Sequence, residues 1–237
     1  MDAKAVVIGA AGGIGAAVAR ILLAQGYAEV HTISREAAFP DTCATHWQTD
    51  HSDASLAEIV TGIDASAPAL ERLVICPGVL QGEGFRPERA LRQLEEAAAV
   101  HVYAVNTLLP MRWLAIFQPL LKKSERPRVA VLSARVGSIG DNRLGGWYSY
   151  RASKAALNMM LQCASVECAR LNKAVQIVAY HPGTVDTELS RPFQRGVLAE
   201  KLFTPAFTAQ RLVGLLDTIP TTGTLAYLDW DGKPIPF

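Results

Sequence analysis

A tyrosine and a lysine lie four residues apart in the second half of this chain, and together they could move a proton. The segment reads Tyr150-Arg151-Ala152-Ser153-Lys154, and residues i and i+4 of a helix lie on one face. A free phenol has a pKa of about 10, which is too high for acid–base catalysis at neutral pH. A nearby ammonium favours the phenolate and lowers that pKa. The pair predicts a catalytic Tyr150 tuned by Lys154, although the same spacing also arises by chance on many helices.

A glycine-rich loop near the start of the chain is typical of a phosphate site. The segment Gly9–Gly15 directly follows a short apolar run and opens a segment of helical period. Glycines allow a tight turn and let main-chain N–H groups approach a pyrophosphate at the positive end of the helix. Because glycine also serves in ordinary strand–helix turns, the prediction depends on this context. The predicted cofactor contacts in the loop are Gly9, Gly12, Gly13, Ile14 and Gly15.

The residues that end the second apolar run bear on the choice between NADP and NAD. An acid about twenty residues beyond the loop would bind the ribose 2′-hydroxyl and repel a 2′-phosphate, but this sequence has Ser34-Arg35 there. A hydroxyl and a guanidinium suit a phosphate. We expect NADP(H) as cofactor, with NAD(H) less favoured and Glu36 the nearest carboxylate. Asp50, after the third run, is expected either to meet the adenine or to cap a turn.

The hydrophobic pattern predicts the elements that must position these residues. Short apolar runs alternate with segments of helical period, which is typical of βαβ units and a parallel sheet covered on both faces. The predicted strands are Lys4–Gly9, Ala28–Ser34, Thr45–Thr49, Arg72–Cys76, Arg128–Ser133, Val175–Tyr180 and Thr224–Leu228. The predicted helices are Gly13–Gln25, Ser55–Gly62, Glu88–His101, Val102–Lys122, Tyr148–Leu171 and Thr208–Thr218. The predicted fold class is α/β: a doubly wound Rossmann-type sheet of about seven mostly parallel strands, in a single domain over residues 1–237.

Composition and charge argue against several other classes of protein. The formal net charge is +1, with 50% hydrophobic and 19% charged residues, so nothing favours a nucleic-acid or anionic-membrane partner. No apolar stretch is long enough to span a membrane, and the first strand leaves no room for a signal peptide. A cytoplasmic location is therefore expected. The five histidines and four cysteines show neither metal-ligand nor C-x-x-C spacing, so no metal site is expected.

With these motifs in order along the chain, the sequence resembles the short-chain dehydrogenases/reductases nearly from end to end. The loop Gly9–Gly15 matches the family's G-x-x-x-G-x-G, and Tyr150 with Lys154 matches its Y-x-x-x-K. The run from Gly137 to Tyr148 more narrowly resembles the C-factor-like branch and carbonyl reductases of the sniffer type. The resemblance implies an oxidoreductase that uses a nicotinamide cofactor.

The same resemblance implies roles for individual residues. By it, Tyr150 protonates a carbonyl oxygen or deprotonates an alcohol, and Lys154 binds the nicotinamide ribose. Asn106 matches the position that holds a water of the proton relay, and Gly78 is the glycine retained after the fourth strand. The segment Pro182–Thr187 matches P-G-x-x-x-T, which borders the nicotinamide. The cofactor contacts implied there are Pro182, Gly183, Val185 and Thr187.

One departure from the family's pattern concerns the catalytic serine. The family commonly ends its fifth strand with paired serines of which the second is catalytic, whereas this sequence has Ser133-Ala134. Successive side chains of a strand point to opposite faces, so Ser133 can take this role only with a local bulge. Ser133 is the residue predicted to hydrogen-bond the substrate oxygen, and Ser138 is the alternative. Two further departures are Ile8 in place of a threonine, and Ile75-Cys76-Pro77 in place of N-N-A.

The sequence thus predicts an enzyme that transfers a hydride between NADP(H) and the carbonyl or alcohol carbon of a small molecule. The alternative is a catalytically weak, nucleotide-binding signalling or regulatory protein of the C-factor type, for which Ala134 gives a chemical motive. The walls of the substrate pocket are expected in the segments Asp141–Trp147 and Ser190–Phe207. The helix Tyr148–Leu171 is expected to pair subunits in a homodimer or homotetramer. Its candidate contacts are Leu157, Met160 and Leu161.

Overall fold

The computed structural model describes residues 2–41 and 43–237. Its strands are β1 (Ala3–Ile8), β2 (Glu29–Ser34), β3 (Thr45–Gln48), β4 (Ala69–Ile75), β5 (Arg128–Leu132), β6 (Gln176–His181), β7 (Thr184–Val185), β8 (Leu202–Phe203) and β9 (Ala226–Asp229). Its α-helices are α1 (Gly13–Ala24), α2 (Asp53–Asp64), α3 (Glu96–Tyr103), α4 (Leu109–Lys123), α5 (Tyr148–Leu171) and α6 (Pro205–Thr218). A π-helical turn, Ala104–Leu108, joins α3 to α4.

Seven of these strands form one parallel sheet in the order β3-β2-β1-β4-β5-β6-β9. The chain moves outward from β1 to β3, returns to β4 on the other side of β1, and then continues in the opposite direction. The carboxyl ends of all seven strands therefore meet at one edge, and the loops that follow β1 and β4 diverge there. This is the predicted doubly wound Rossmann-type fold, and each predicted strand overlaps one strand of the sheet.

Two apolar clusters cover the two faces of the sheet. One packs α2, α4 and α5 against it and contains Trp113 and Phe117; the other packs α1 and α6 against the opposite face. Leu157 and Leu161 of α5 are 0% exposed within the first cluster. The expectation that these two leucines pair subunits was therefore wrong, because the chain's own core already uses their side chains. None of the helices in the described residues is long and apolar enough to cross a membrane.

The starts of two helices and one short strand differ most from the prediction. The helix predicted from Glu88 begins only at Glu96, because Glu88 bonds to the start of α5 and only Leu91–Gln93 of the preceding residues form a short 3₁₀ turn. The segment predicted as loop before α6 contains β8, which pairs with β7 in a separate two-stranded sheet. Helix α6 begins at Pro205, three residues earlier than predicted, because the Thr204 side chain accepts the Phe207 N–H and proline suits the first helical position.

Candidate active site

The glycine loop after β1 brings its main chain closer to α1 than a side chain would allow. Gly9 has φ +82°, and a Cβ added to Gly15 would lie 2.4 Å from the main-chain oxygen of Gly9. The Gly12 N–H donates to that same oxygen at 3.1 Å. A Cβ on Gly13 would lie 3.1 Å from Cγ2 of Thr187. The loop is therefore tightly folded, and it lies against the segment that follows β6.

The start of α1 is suited to an anion. Gly12 occupies the N-cap position and offers no capping side chain, and the first turn holds no acidic residue. Gly12 and Gly13 are exposed, Ile14 is half-buried and Gly15 is buried. The first N–H groups of a helix carry partial positive charge and lack partners within the helix. This donor set fits the pyrophosphate of a dinucleotide.

The end of β2 presents an arginine to solvent. Arg35 is exposed, and its guanidinium makes no hydrogen bond or ion pair with any described residue, whereas its main-chain oxygen accepts from Nε2 of Gln48 at 3.0 Å. Ser34 is buried, and its hydroxyl accepts the Glu36 N–H at 3.1 Å. Arg35 is thus free to bind a phosphate, while the Ser34 hydroxyl already stabilises the turn.

Asp50 caps a turn before α2. Its Oδ1 accepts the Ser52 N–H at 2.8 Å, and the side chain is exposed. Hydrogen bonds from Ser52 lower the pKa of the Asp50 carboxyl. Asp50 therefore caps a turn, as one of its two interpretations predicts, and its exposed carboxylate keeps a second oxygen for another donor.

Lys154, Asn106 and Gly78 converge at the carboxyl edge of the central strands. The Lys154 ammonium is buried and donates to the main-chain oxygen of Leu132 at 2.8 Å. A Cβ added to Gly78 would lie 3.6 Å from Nζ of Lys154 and 3.4 Å from Oδ1 of Asn106. Only a glycine leaves this space between the two side chains open. Helix α5 presents Tyr150 one turn before Lys154, on the same face.

Asn106 lies within the π-helical turn, a feature that often marks functional sites. Its Oδ1 accepts the Val79 N–H at 2.7 Å, and its Nδ2 donates to the Val79 oxygen at 2.8 Å and to Oγ of Ser153 at 3.1 Å. The side chain thereby ties the loop after β4 to α5. Both protons of its Nδ2 are donated to protein groups, so a water held by this residue would have to donate to its main-chain oxygen or to the second lone pair of Oδ1.

The electrostatics of the Tyr150–Lys154 pair differ from the expectation. Burial raises the pKa of Tyr150 to about 12, and the nearby Tyr227 adds to the increase. Burial also lowers the pKa of Lys154 to about 8, against an opposing effect of Cys76. In the chain by itself desolvation of the phenolate dominates the pKa of Tyr150, and the lowering of that pKa by Lys154 stays a prediction.

Both candidate serines use their hydroxyls in local structure. Ser133 is 4% exposed and donates to Oδ1 of Asn158 at 2.6 Å. Ser138 is 1% exposed and accepts the Asp141 N–H at 3.0 Å. The hydroxyl of Tyr227 donates to the main-chain oxygen of Ala134 at 2.6 Å, fixing the chain where β5 ends. Each serine hydroxyl is therefore engaged with a group other than Tyr150.

The segment after β6 follows the edge of the sheet back to the glycine loop. Pro182 directly follows β6, and Gly183 has φ +75°, with the position of a Cβ only 2.6 Å from the Phe203 ring. Val185 is buried, and its main-chain oxygen accepts from the Thr187 hydroxyl at 3.3 Å. This path brings Thr187 against Gly13, so the first and last predicted cofactor contacts of the chain are neighbours.

A cavity of about 1050 Å³ lies beside the start of α5. Trp147 and Phe193 form an aromatic wall, with ring centroids 5.3 Å apart, and Trp147 also meets the Tyr150 ring edge-on at 6.2 Å. These two residues lie in the segments predicted to form the pocket. Most of the lining instead comes from residues 82–95, which the sequence analysis assigned in part to a helix. The signals of a loop were Gly82-Glu83-Gly84 and Pro87.

The sequence model of one protein family matches most of this chain. That family is the short chain dehydrogenases, and the match covers residues 3–197. The chain belongs to the short-chain dehydrogenase family. Its oxidoreductase class, predicted from the Gly9–Gly15 loop and the Tyr150–Lys154 pair, is thereby confirmed.

Curated relatives of this short-chain dehydrogenase include an enzyme and a signalling protein. It is 35% identical over 127 residues to the 1-hydroxy-2-glutathionyl-2-methyl-3-butene dehydrogenase of a Rhodococcus strain, a match that spans 53% of each chain. It is 27% identical over 148 residues to the C-signal of Myxococcus xanthus, which covers 62% of this chain and 84% of that protein. The match to the dehydrogenase therefore spans about half of that relative's length.

Among solved structures, the NADPH-bound carbonyl reductase from chicken fatty liver has the same fold. The TM-score is 0.81 at 24% identity, over 100% of this chain and 99% of the other. At this identity the likeness concerns the fold.

Proposed function

We propose that this short-chain dehydrogenase is an NADP(H)-dependent carbonyl reductase that also catalyses the reverse oxidation of an alcohol. The observation that carries the proposal is the placement of Tyr150 and Lys154 on one face of α5, with Lys154 bonded to the end of β5 and adjacent to Gly78 and Asn106. A half-buried phenol that stays protonated can donate a proton to a carbonyl oxygen.

The residues proposed to hold the cofactor follow the carboxyl edge of the sheet. The first turn of α1, with Gly13, Ile14 and Gly15, would bind the pyrophosphate through its N–H groups. Arg35 would bind the 2′-phosphate, which supports NADP(H) over NAD(H). Lys154 would bind the nicotinamide ribose, with Gly78 and the Pro182–Thr187 segment bordering the ring. NADPH supplies the hydride when bound, and the NADPH-bound chicken reductase of the same fold supports this choice.

Tyr150 is proposed as the proton donor in carbonyl reduction. Its raised pKa keeps Oη protonated at neutral pH, and the proton moves to the substrate oxygen as negative charge develops there. Lys154 is proposed to stabilise the resulting phenolate, since an ammonium favours the charged form of a neighbouring phenol. Asn106 is proposed to support the return of a proton to Tyr150 by holding a water through its main-chain oxygen.

The substrate oxygen is proposed to depend on Tyr150 as its main hydroxyl donor. Ser133 would have to break its bond to Asn158 to reach a substrate, and Ser138, which donates its own proton to no described residue, is only 1% exposed where it accepts the Asp141 N–H. Ala134, the residue at the family's catalytic-serine position, has no hydroxyl. We therefore expect slower turnover than a site with two donors would give.

That same feature favours a second candidate function, a nucleotide-binding signalling protein with weak catalysis. The similarity to C-signal extends over 84% of that protein, and a missing hydroxyl donor is compatible with reduced selection for turnover. The Tyr150–Lys154 pair and the tie between Asn106 and α5 support the enzyme as the first candidate.

The test measures NADPH oxidation with a panel of aldehydes, ketones and quinones. Tyr150→Phe keeps the ring and its contact with Trp147 but removes the hydroxyl, so turnover should fall at least a thousandfold while the Kd for NADPH stays within about threefold. Tyr148→Phe is the matched control, because Tyr148 is an exposed tyrosine two residues earlier; it should retain parental activity. A fully active Tyr150→Phe protein contradicts the mechanism. A parent that binds NADPH but reduces no compound of the panel favours the signalling candidate.

A further inference from the structure

The segment that lines the cavity is attached to the start of α5 through Glu88. This residue is 5% exposed. Its main-chain oxygen accepts the Trp147 N–H at 2.5 Å, and its Oε2 accepts the Ser149 N–H at 3.2 Å. The Ser149 hydroxyl donates to Oε1. Glu88 thus accepts from three donors, one on Trp147 and two on Ser149, around the first turn of the helix that carries Tyr150.

The start of α5 has no local substitute for these contacts. Gly145, Gly146 and Trp147 all have positive φ, of 62°, 64° and 53°, and this is an unfavourable region for a bulky side chain such as tryptophan. Trp147 occupies the N-cap position, where its side chain makes no capping hydrogen bond, and the first turn holds no acid. The carboxylate of Glu88 therefore supplies, from a distant segment, both the acceptor and the negative charge that a helix start favours.

Because Glu88 caps the helix, position 147 needs no capping side chain and can hold a tryptophan. The Trp147 ring meets Tyr150 at 6.2 Å and Phe193 at 5.3 Å between centroids, so it joins Tyr150 to the cavity wall. A serine or aspartate at position 147 would cap the helix without burying a distant carboxylate, but it would lose both ring contacts. Burial of a carboxylate is costly unless it is hydrogen-bonded. The structure therefore keeps the ring contacts of Trp147 beside Tyr150 and takes the helix cap from Glu88 instead of from a capping side chain at position 147.

The same segment reaches the catalytic tyrosine by a second path. A small pocket is lined by Leu80, Pro87, Glu88, Ser149 and Tyr150, among other residues. Glu88 also lines the larger cavity. It is therefore the residue at which the cavity wall, the α5 start and the surroundings of Tyr150 meet.

We propose that Glu88 is a positioning residue for Tyr150. Its carboxylate and main-chain oxygen hold residues 147–149 so that Oη of Tyr150 meets the substrate oxygen in line for proton transfer. The inference rests on the proposed function for the role of Tyr150. It extends that function by assigning the alignment of the catalytic turn to a residue more than sixty positions earlier in the chain.

The test compares Glu88→Ala with Glu88→Gln. The amide of glutamine can accept from the Ser149 N–H and donate to the Ser149 hydroxyl, so this variant keeps two hydrogen bonds without the charge. Glu88→Ala should lower kcat ten- to a hundredfold, leave the Kd for NADPH within about threefold, and be largely rescued in Glu88→Gln. Glu96→Ala removes an exposed glutamate of the same region and should behave as the parent.

Two readouts separate positioning from a merely structural role. The first is the primary isotope effect on kcat/KM with NADPH that carries deuterium at the transferred position, because a smaller active fraction does not change this ratio. It should rise in Glu88→Ala as the chemical step becomes limiting. The second is amide hydrogen exchange of residues 147–151, which should accelerate at least tenfold in Glu88→Ala and less in Glu88→Gln.

The possible outcomes are distinct. A Glu88→Ala protein with parental kcat, or with a lower kcat and a parental isotope effect, overturns the proposal. A parent that reduces no carbonyl compound contradicts the proposed function instead. In that case hydrogen exchange still decides whether Glu88 holds the turn, and parental exchange in Glu88→Ala would overturn the inference by itself.

Discussion

The hydroxyl of Ser133 donates to Oδ1 of Asn158 at 2.6 Å, joining the end of β5 to α5 two helical turns beyond Tyr150. Asn158 is 2% exposed, and its Nδ2 has no partner among the described residues. Ser133 therefore supplies the hydrogen bond to the buried Oδ1 of Asn158, a residue whose Nδ2 has none. This contact gives Ser133 a structural role at the place where the sequence predicts a catalytic one.

Ser133→Ala should affect stability more than activity. Removing the donor leaves a buried amide oxygen unsatisfied, which costs about 1–3 kcal/mol of the free energy of unfolding. The kcat for carbonyl reduction should stay within about threefold of the parent. Urea denaturation and steady-state kinetics measure the two quantities. A fall in kcat of tenfold or more at unchanged stability would instead assign Ser133 to the substrate oxygen.

Ala134→Ser should increase turnover. It adds a hydroxyl at the position that the family uses for its catalytic serine, and one donor to a developing oxyanion contributes about a hundredfold or more in established sites. Allowing for imperfect geometry, we expect kcat to rise at least tenfold with KM little changed. Ala134→Cys is the matched control, because it adds a similar volume with a much weaker donor. Equal kcat values for the parent and Ala134→Ser would show that this position does not face the substrate.

Arg35 should determine cofactor preference. We expect the parent to bind NADPH at least tenfold more tightly than NADH, a difference of about 1.4 kcal/mol. Arg35→Ala should bring the ratio of the two dissociation constants close to one, chiefly by weakening NADPH. Arg170→Ala, at an exposed arginine at the end of α5, should leave the ratio unchanged. Fluorescence titration gives both constants, and equal affinities in the parent would remove the argument from Arg35.

The central strands of the sheet were predictable from sequence because they are buried on both faces. All six residues of β1 are buried and all but Lys4 are apolar, so any register must place this strand inside. Gly15 was predictable for a similar reason, since its approach to Gly9 reflects a motif whose function depends on main-chain geometry. In both cases a local pattern is sufficient to define the structure.

The properties that a local pattern could not give depend on residues distant in the chain. The local sequence pattern places Glu88 in a helix, but in the folded chain Glu88 binds Trp147 and Ser149 instead. The direction of the Ser133 hydroxyl depends on Asn158, twenty-five residues later. The pKa of Tyr150 depends on how completely the folded chain removes the phenol from water. Helical spacing places Tyr150 and Lys154 on one face, but it cannot give the balance between desolvation and attraction.

His181 should make the stability of the protein fall in mild acid. Burial lowers its pKa from 6.5 to about 4, Arg135 acts in the same direction and Asp229 opposes it; its Nδ1 is buried without a described partner. Between these pH values the unfolded chain binds more protons than the folded one. The free energy of unfolding that depends on neutral His181 is therefore fully present above about pH 6.5. It is lost as the pH falls to about 4, a total of about 3 kcal/mol.

Urea denaturation of the parent and His181→Gln at several pH values measures this effect. Glutamine cannot take up a proton, so the variant should lose less stability than the parent over the same range. Parallel pH dependences for the two proteins would show that His181 does not contribute and that other titratable groups account for the loss.

The two directions of the reaction should differ in how they depend on pH through Tyr150. Reduction needs the protonated phenol, and with the pKa of Tyr150 raised to about 12 the rate should be nearly constant between about pH 6 and 7.5, where Lys154, with its pKa lowered to about 8, is still mostly charged. Oxidation needs the phenolate, so its rate should rise with pH across the same range, approaching tenfold per pH unit. Lys154→Ala removes the cation that favours the phenolate, so oxidation should fall further at each pH and the Kd for NADPH should increase. Lys173→Ala, at an exposed lysine after α5, serves as the control. An oxidation rate that is level or falling between about pH 6 and 7.5 in the parent would show that a group other than Tyr150 accepts the proton.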